Sequence, residues 1–489
     1  MIFKSKAQDM PDPSEITHRP PTVAGTFYPE DPGELRKMLD EYIKTDISLP
    51  EGAEINGIVV PHAGYVFSGW IAGRAYSQVQ GRDYDAVVVI SPSHRQAFMG
   101  SSVFNGEAYV TPLGPKYVDS ELAIEIAKGE NVNLSLDGHK WDEEMGEHAL
   151  EVQIPFLQVV LPDVPIVPIV MGSQDRRSID NLFKALVNAQ KNTGKNILYV
   201  VSTDLSHYKS KKEAQKLDRQ LVNTFGRYDY FKLNNELEQR EVEACGGGPL
   251  VAAMMAAEQM GADKTYPILY GTSADSPYAK ATRDKVVGYF SGLILDWPAD
   301  EDNEDAGLLP QFSLSDYDRL MKIANEAVSE AVKGEVKRGA HFVPTEFEQE
   351  FAAFVTLKKK GQLRGCMGHT FATQSLVLEI QEAGRMAATK DPRFEPVSEE
   401  ELDDIDISVT ILSRFQRVLD PEEIKIGRDG VYLRSGKNSG LFLPQVATEN
   451  NWDRETFLQF LGKKAGLDKN AYKDPKAELY KFRARVVGE

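Results

Sequence analysis

Short apolar runs alternate with amphipathic stretches through the N-terminal part of the chain. Residues 55–60, 86–90, 166–170, 197–201 and 286–290 are each rich in β-branched side chains and closed by small or polar ones, the pattern of strands buried on both faces. Between them, 178–191 and 211–225 repeat apolar residues at helical spacing. This alternation predicts an α/β layered domain with a largely parallel central sheet. The acidic run 300–305 has no apolar period and repels itself, so it reads as a solvated linker. The predicted division is an α/β domain over 18–297, a linker over 298–311 and a second domain over 312–489.

The pattern changes after the linker. Ser315 and Asp318 have the spacing of a capping box. Leu320, Ile323, Ala324, Ala327, Val328 and Ala331 then mark one helical face. Runs 351–357 and 363–366 flank Lys360-Gly361, while 431–433 and 441–443 flank the glycine-bounded 436–440. Both pairs predict antiparallel hairpins, so the second domain is expected to be α+β.

Three predicted strands run into histidines: His62 follows 58–60, His94 follows 87–90, and His207 follows 198–201 by way of Asp204. In open α/β sheets ligands bind outside the carboxyl ends of the strands. Three imidazoles delivered there can converge on a metal ion. The strands of His62 and His94 are expected to neighbour each other, and each histidine alone has a plainer reading as a partner of its own loop. Asp204, three residues before His207, is a candidate catalytic or orienting carboxylate. His148, in Glu147-His148 with Glu151 following, is a candidate proton-transfer group or a partner of a ligand, against a plainer role as a polar helix-entry residue. Cys245 precedes Gly246-Gly247-Gly248, where glycines give the backbone freedom to approach a ligand; the alternative is a buried inert thiol.

Composition narrows the classes. The chain has 489 residues, too many for one ordinary core, and 42% hydrophobic with 27% charged residues is globular composition. A net charge of −18 without a basic stripe argues against nucleic-acid binding. No apolar run reaches the roughly 20 residues needed to span a bilayer, and residues 1–17 lack the apolar core of a signal peptide. With only Cys245 and Cys366 there is no disulfide framework. The expectation is a cytoplasmic protein with a small-molecule substrate or ligand and no nucleic-acid or membrane partner.

The segments Pro61-His62-Ala63-Gly64-Tyr65, Ser91-Pro92-Ser93-His94, Glu147-His148-Ala149-Leu150-Glu151-Val152-Gln153, Ser202-Thr203-Asp204-Leu205-Ser206-His207-Tyr208 and Ala244-Cys245-Gly246-Gly247-Gly248-Pro249 resemble the Memo family. So does the opening Val23-Ala24-Gly25-Thr26-Phe27-Tyr28-Pro29. The resemblance covers about residues 18 to 295. It implies a fold similar to class III extradiol dioxygenases, which hold non-haem iron with two histidines and a glutamate. By that resemblance His62, His94, His207 and Cys245 are the metal-site candidates, with Asp204, His148 and His207 as catalytic ones. A thiol in place of the carboxylate softens the site, so the cofactor expected is a divalent or redox metal, iron first and copper or zinc next.

Leu363-Arg364-Gly365-Cys366-Met367-Gly368, Lys390-Asp391-Pro392-Arg393-Phe394 and Gly440-Leu441-Phe442-Leu443-Pro444 resemble the AMMECR family over about residues 312 to 487. Arg364 offers a planar donor fork for carboxylate or phosphate, and Cys366 lies between glycines that let a ligand approach. Both are therefore cofactor- or ligand-binding candidates. A tight turn, with Arg364 in a structural ion pair, is the plainer reading. Memo-like and AMMECR-like proteins resemble two members (B and A) of the microbial AmmeMemoRadiSam system, whose third member is a radical SAM enzyme. This chain lacks the three-cysteine cluster of that enzyme, so a radical SAM protein is an expected partner. The function expected is a metal-dependent, dioxygenase-like oxidoreductase. The alternatives are a metal- or ligand-binding scaffold that docks a partner enzyme, and a zinc-assisted hydrolase.

Overall fold

The first four apolar runs are strands, Glu54–Val60, Ala86–Pro92, Ile166–Met171 and Ile197–Ser202, each extended one or two residues beyond its apolar core. The computed structural model describes residues 18–44, 47–50, 52–141, 146–280, 282–297, 308–310, 312–334 and 349–488. The chain divides between Pro298 and Ala299 into two compact units. The acidic run read as a linker lies outside the described residues.

In the first unit the four strands lie parallel in the order 54–60, 197–202, 86–92, 166–171. They are almost fully buried, as continuous β-branched runs require when helices cover both faces. Antiparallel strands extend the sheet on both sides. Val286–Asp296 pairs with Glu54–Val60 and with Lys264–Thr272, and Ser101–Phe104 pairs with Ile166–Met171. The sheet is thus parallel at its centre and mixed at its flanks. The run at 286–290 continues as strand to Asp296. Helices Arg176–Thr193 and Lys211–Gly226 enclose the expected helical stretches, the first closed by Gly194 at φ +68°.

The strands carrying His62 and His94 do not pair, contrary to expectation: Ile197–Ser202 lies between them. Strand order is decided by which crossover helices pack on which face, and this leaves no local sequence mark.

The second unit contains two antiparallel sheets. One runs Gln362–Gly368, Ala353–Lys359, Ile405–Leu412, Ala484–Val487, and the other Gln416–Val418, Glu478–Phe482, Gly430–Ser435, Asn438–Phe442. Both expected hairpins form. The first turns at Lys360 and Gly361 with φ of +52° and +78°, the left-handed pair that matches strand twist. Helix Leu314–Lys333 buries Leu320, Ala324, Ala327 and Val328. Its capping box is Ser313 with Asp316, not Ser315 with Asp318. Both pairs have the required spacing, and the helix begins one turn-fraction earlier, placing Ser315 inside it. Among the described residues no helix is long and apolar enough to cross a membrane.

Candidate metal centre

Because Glu54–Val60, Ile197–Ser202 and Ala86–Pro92 are parallel, their carboxyl ends open on one edge of the sheet. His62, Asp204 and His94 each follow a strand end by two residues. The Thr203 N–H donates to the Val60 carbonyl at 2.9 Å and locks two of these ends together. The His62 N–H then donates to Asp204 Oδ1 at 2.8 Å.

Proton accounting fixes the His62 ring. Ser202 Oγ donates its only proton to the Ala149 carbonyl at 2.6 Å and accepts from Gln153 Nε2 at 2.8 Å. The 2.9 Å contact from His62 Nδ1 must therefore be a donation into Ser202 Oγ. That leaves Nε2 bare, 3.1 Å from Cys245 Sγ and 4.0 Å from Asp204 Oδ2. Gln153 is oriented in turn because Nε2 also donates to the Pro61 carbonyl, while Oε1 accepts from Tyr76.

His94 is held in the same way. Its Nδ1 lies 3.1 Å from Glu147 Oε1 and its backbone N–H donates to Oε2 at 2.5 Å. Glu147 is buried, and burial opposes its charge. The ring and backbone hydrogen bonds from His94 and that from the Ala149 N–H outweigh burial and hold the carboxyl down at about 2. A carboxylate that can only accept fixes the proton on Nδ1 and frees Nε2 for a ligand. His207 Nδ1 donates to the Leu205 carbonyl at 2.7 Å, with the same consequence.

The ligating atoms of His62, His94 and His148 all lie within 4.8 Å of one another. The His148 ring stacks on His94 at 5.0 Å and meets His62 edge-on at 5.7 Å. His148, read from sequence as a proton-transfer group, therefore sits in the three-histidine group. His207 lies outside that group, and Cys245 adjoins it through His62. Asp204 is buried beside all of them, and burial pushes its carboxyl up. Burial, then the Asp204 charge, push the Cys245 thiol up as well. The donor set of three imidazoles, one carboxylate and one thiol suits a divalent transition metal.

The glycines after Cys245 serve packing. A Cβ on Gly246 would lie 2.4 Å from the Ser202 carbonyl oxygen, and one on Gly248 2.9 Å from Met171 Sδ. These contacts press the cysteine loop onto the strand ends and open helix Gly247–Glu258.

Sequence reasoning missed the layer beneath the site. Arg19 and Glu151, both fully buried, pair at 2.7 Å. Arg19 also donates to the carbonyls of His139 at 2.8 Å and Glu147 at 2.6 Å. Glu151 accepts from Tyr28, the Val23 N–H and Thr22. The segment 146–150, which carries His148, is thereby tied to the N-terminal arm. The available signal was Glu147, Glu151 and Gln153 set among Ala149, Leu150 and Val152.

A pH dependence follows. Burial, then the His62 charge, lower His148 to about 4 from a model-peptide value near 6.5. Between those values the unfolded chain binds a proton that the native ring refuses, so stability falls as pH drops from about 6.5 to about 4. His148 alone contributes a loss of roughly 3 kcal/mol across that window. Urea midpoints of chelator-treated protein at pH 7, 6 and 5 test this; a flat series would show that His148 titrates normally.

In the second unit Arg364 donates to Glu401 at 2.9 Å and 3.1 Å and to the carbonyls of Glu395 and Pro396. Its fork is thus engaged by the protein. Gly365 and Gly368 lie in strand, not in a turn. A Cβ on each would meet the carbonyl oxygens of Ala387 at 2.3 Å and Ala353 at 2.2 Å, so both glycines answer to packing.

A family model described as Memo-like protein matches residues 19–293, and one described as AMMECR1 matches 321–487. A MEMO1 family protein of Methanobrevibacter smithii is 34% identical over 287 residues, 56% of this chain and 99% of that protein. One from Methanococcoides burtonii is 35% identical over 280 residues, covering 57% and 99%. Among solved structures, an uncharacterized protein from Pyrococcus horikoshii is 35% identical over 34% of this chain and 88% of its own, with a TM-score of 0.33.

Proposed function

We propose that this chain, which belongs to the Memo family and carries an AMMECR1 domain behind its Memo domain, is a metal-dependent enzyme of oxidoreductase type. Family membership supports a dioxygenase-like fold for the first unit. The observation that carries the reading is the convergence of His62, His94 and His148 at the strand ends, with Asp204 and Cys245 against His62. The three imidazoles would hold the metal, and the Cys245 thiol is placed to join them from the His62 side. A redox metal held there, iron as the first expectation and copper the next, would supply electron exchange with a small-molecule substrate, whereas zinc, which has no redox chemistry, would act only as a Lewis acid.

The protein's own part is orientation and proton handling. Ser202 and Glu147 keep the Nδ1 protons of His62 and His94 away from the metal-binding face. Asp204, whose carboxyl burial pushes up, is the group placed to take or return a proton beside His62. His207, with Nδ1 committed to Leu205, offers Nε2 as a second acceptor. A radical SAM enzyme is the partner we propose, since the chain joins domains that resemble the other two members of that system.

Anaerobic purification followed by elemental analysis, with spectra before and after O₂, tests this reading. Stoichiometric redox metal whose spectrum changes on oxygenation is the expected result. Full stability with no metal bound after growth in metal-replete medium would refute it.

A further inference from the structure

Strand Val286–Asp296 pairs antiparallel with Glu54–Val60, Gly292 lying opposite Val59. Three residues further along each chain, toward the edge where the parallel strands end, stand Tyr289 and His62. There the strand is bound to the Asp204 segment instead. The Gly288 N–H donates to the Ser206 carbonyl at 2.9 Å, and the Leu205 N–H donates to the Gly288 carbonyl at 2.8 Å. The backbone of Tyr289 is thus held beside the two loops that carry His62 and Asp204.

The Tyr289 side chain shares a sheet face with the His62 ring. Phe290 turns to Phe225 of helix Lys211–Gly226, with ring centroids 5.1 Å apart, so Tyr289 takes the opposite face. Its ladder partner Gly271 agrees, since a Cβ there would lie 3.3 Å from Ile71 on helix Tyr65–Val79. The His62 ring belongs to that face as well. Its Nδ1 partner Ser202 is bonded to Gln153, which accepts from Tyr76 of the same helix.

Tyr289 is only 2% exposed. Yet among the described residues its hydroxyl has no hydrogen-bond partner, and it is not sealed from water. Burial, then the Asp204 charge, push the hydroxyl's pKa up, so it keeps its proton at neutral pH. A buried donor with no acceptor is destabilising. Beside imidazoles that converge on one point, an acceptor arriving with a substrate completes it.

We propose that Tyr289 is a further catalytic residue of the histidine centre, a role that rests on the metal reading given above. Its hydroxyl donates to an oxygen of the bound substrate, which places carbonyl compounds and oxyanions in the substrate class. Asp204, 4.0 Å from His62 Nε2, handles the proton, while Tyr289 orients the oxygen and stabilises charge on it.

Tyr289→Phe removes the hydroxyl alone, and measurements on the full chain read its role. In chelator-treated protein the urea midpoint should equal or exceed that of wild type, since no native bond is lost. In cobalt(II)-loaded protein the metal affinity should be unchanged, and the visible cobalt bands report added ligands. Acetate, whose oxygens accept from the hydroxyl, should bind the variant about tenfold more weakly, the usual effect of losing a hydrogen bond to a charged group. Imidazole, which has no acceptor left once it coordinates, should bind both proteins alike. A lowered urea midpoint makes the hydroxyl structural and overturns the proposal, as does an acetate affinity that the variant leaves unchanged, or a loss shared equally by imidazole. A wild-type chain that takes up no cobalt overturns the metal reading itself, and the role of Tyr289 with it.

Discussion

His62→Ala is expected to lower metal affinity by more than any other single substitution, at least 100-fold, because even loss of a residue that merely orients a ligand weakens sites about 10–100-fold. His62 is in contact with each of the other four members of the donor set. It meets the rings of His94 and His148 and lies within 4.0 Å of both Cys245 Sγ and Asp204 Oδ2. Removing it also strips Cys245 of the acceptor at 3.1 Å. Glu147→Gln should weaken binding about 10–100-fold while leaving all three imidazoles in place, since the amide must turn its oxygen to His94 and loses the charge that strengthens that bond. Cys245→Ser should weaken copper or zinc more than a hard cation. Competition with a chelator of known affinity gives all three values. Wild-type affinity in His62→Ala would move the metal away from the strand ends altogether, whatever the outcome for Glu147→Gln.

The strands that end at this centre were legible because a buried parallel strand is an uninterrupted β-branched run, and 86–90 and 197–201 admit no other packing. Their histidines were legible for the same reason, since parallel strands must present their carboxyl ends on one edge. His148 reaches the site by another route. Its segment is placed by Ser202 Oγ on the Ala149 carbonyl and by Arg19 on the Glu147 carbonyl, contacts spanning 53 and 128 residues. No local period encodes such contacts. The same limit hid the insertion of Ile197–Ser202 between the His62 and His94 strands.

In the second unit the hairpin at Lys360-Gly361 was legible from its turn chemistry. The helix start was not, because Ser313-x-x-Asp316 and Ser315-x-x-Asp318 are chemically equivalent and only the first is placed where the chain enters. Arg364 shows a further limit. A guanidinium next to a cysteine motif suggests recognition, but whether its five donors face a ligand or a carboxylate 37 residues away is a tertiary fact.

Arg19→Met should destabilise the first unit by about 3–5 kcal/mol, the usual consequence of removing one partner from a buried ion pair. Arg19 and Glu151 have side-chain exposures of 1% and 0%, so water cannot replace the lost guanidinium. Three things go at once: the 2.7 Å pair with Glu151, the bond to the His139 carbonyl, and the bond to the Glu147 carbonyl. Glu151 retains donors from Tyr28, Thr22 and Val23, which favours the lower end of that range. Because the Glu147 carbonyl belongs to the segment carrying His148, metal affinity should fall along with stability. The double variant Arg19→Met/Glu151→Gln should recover part of the stability, since it leaves no uncompensated charge, but not the affinity, since the 146–150 segment stays untethered. Urea unfolding of the two single variants and the double one, each paired with a chelator titration, separates these effects. A loss below about 1 kcal/mol in Arg19→Met would place the pair among ordinary surface bridges and remove the N-terminal arm from the architecture of the site.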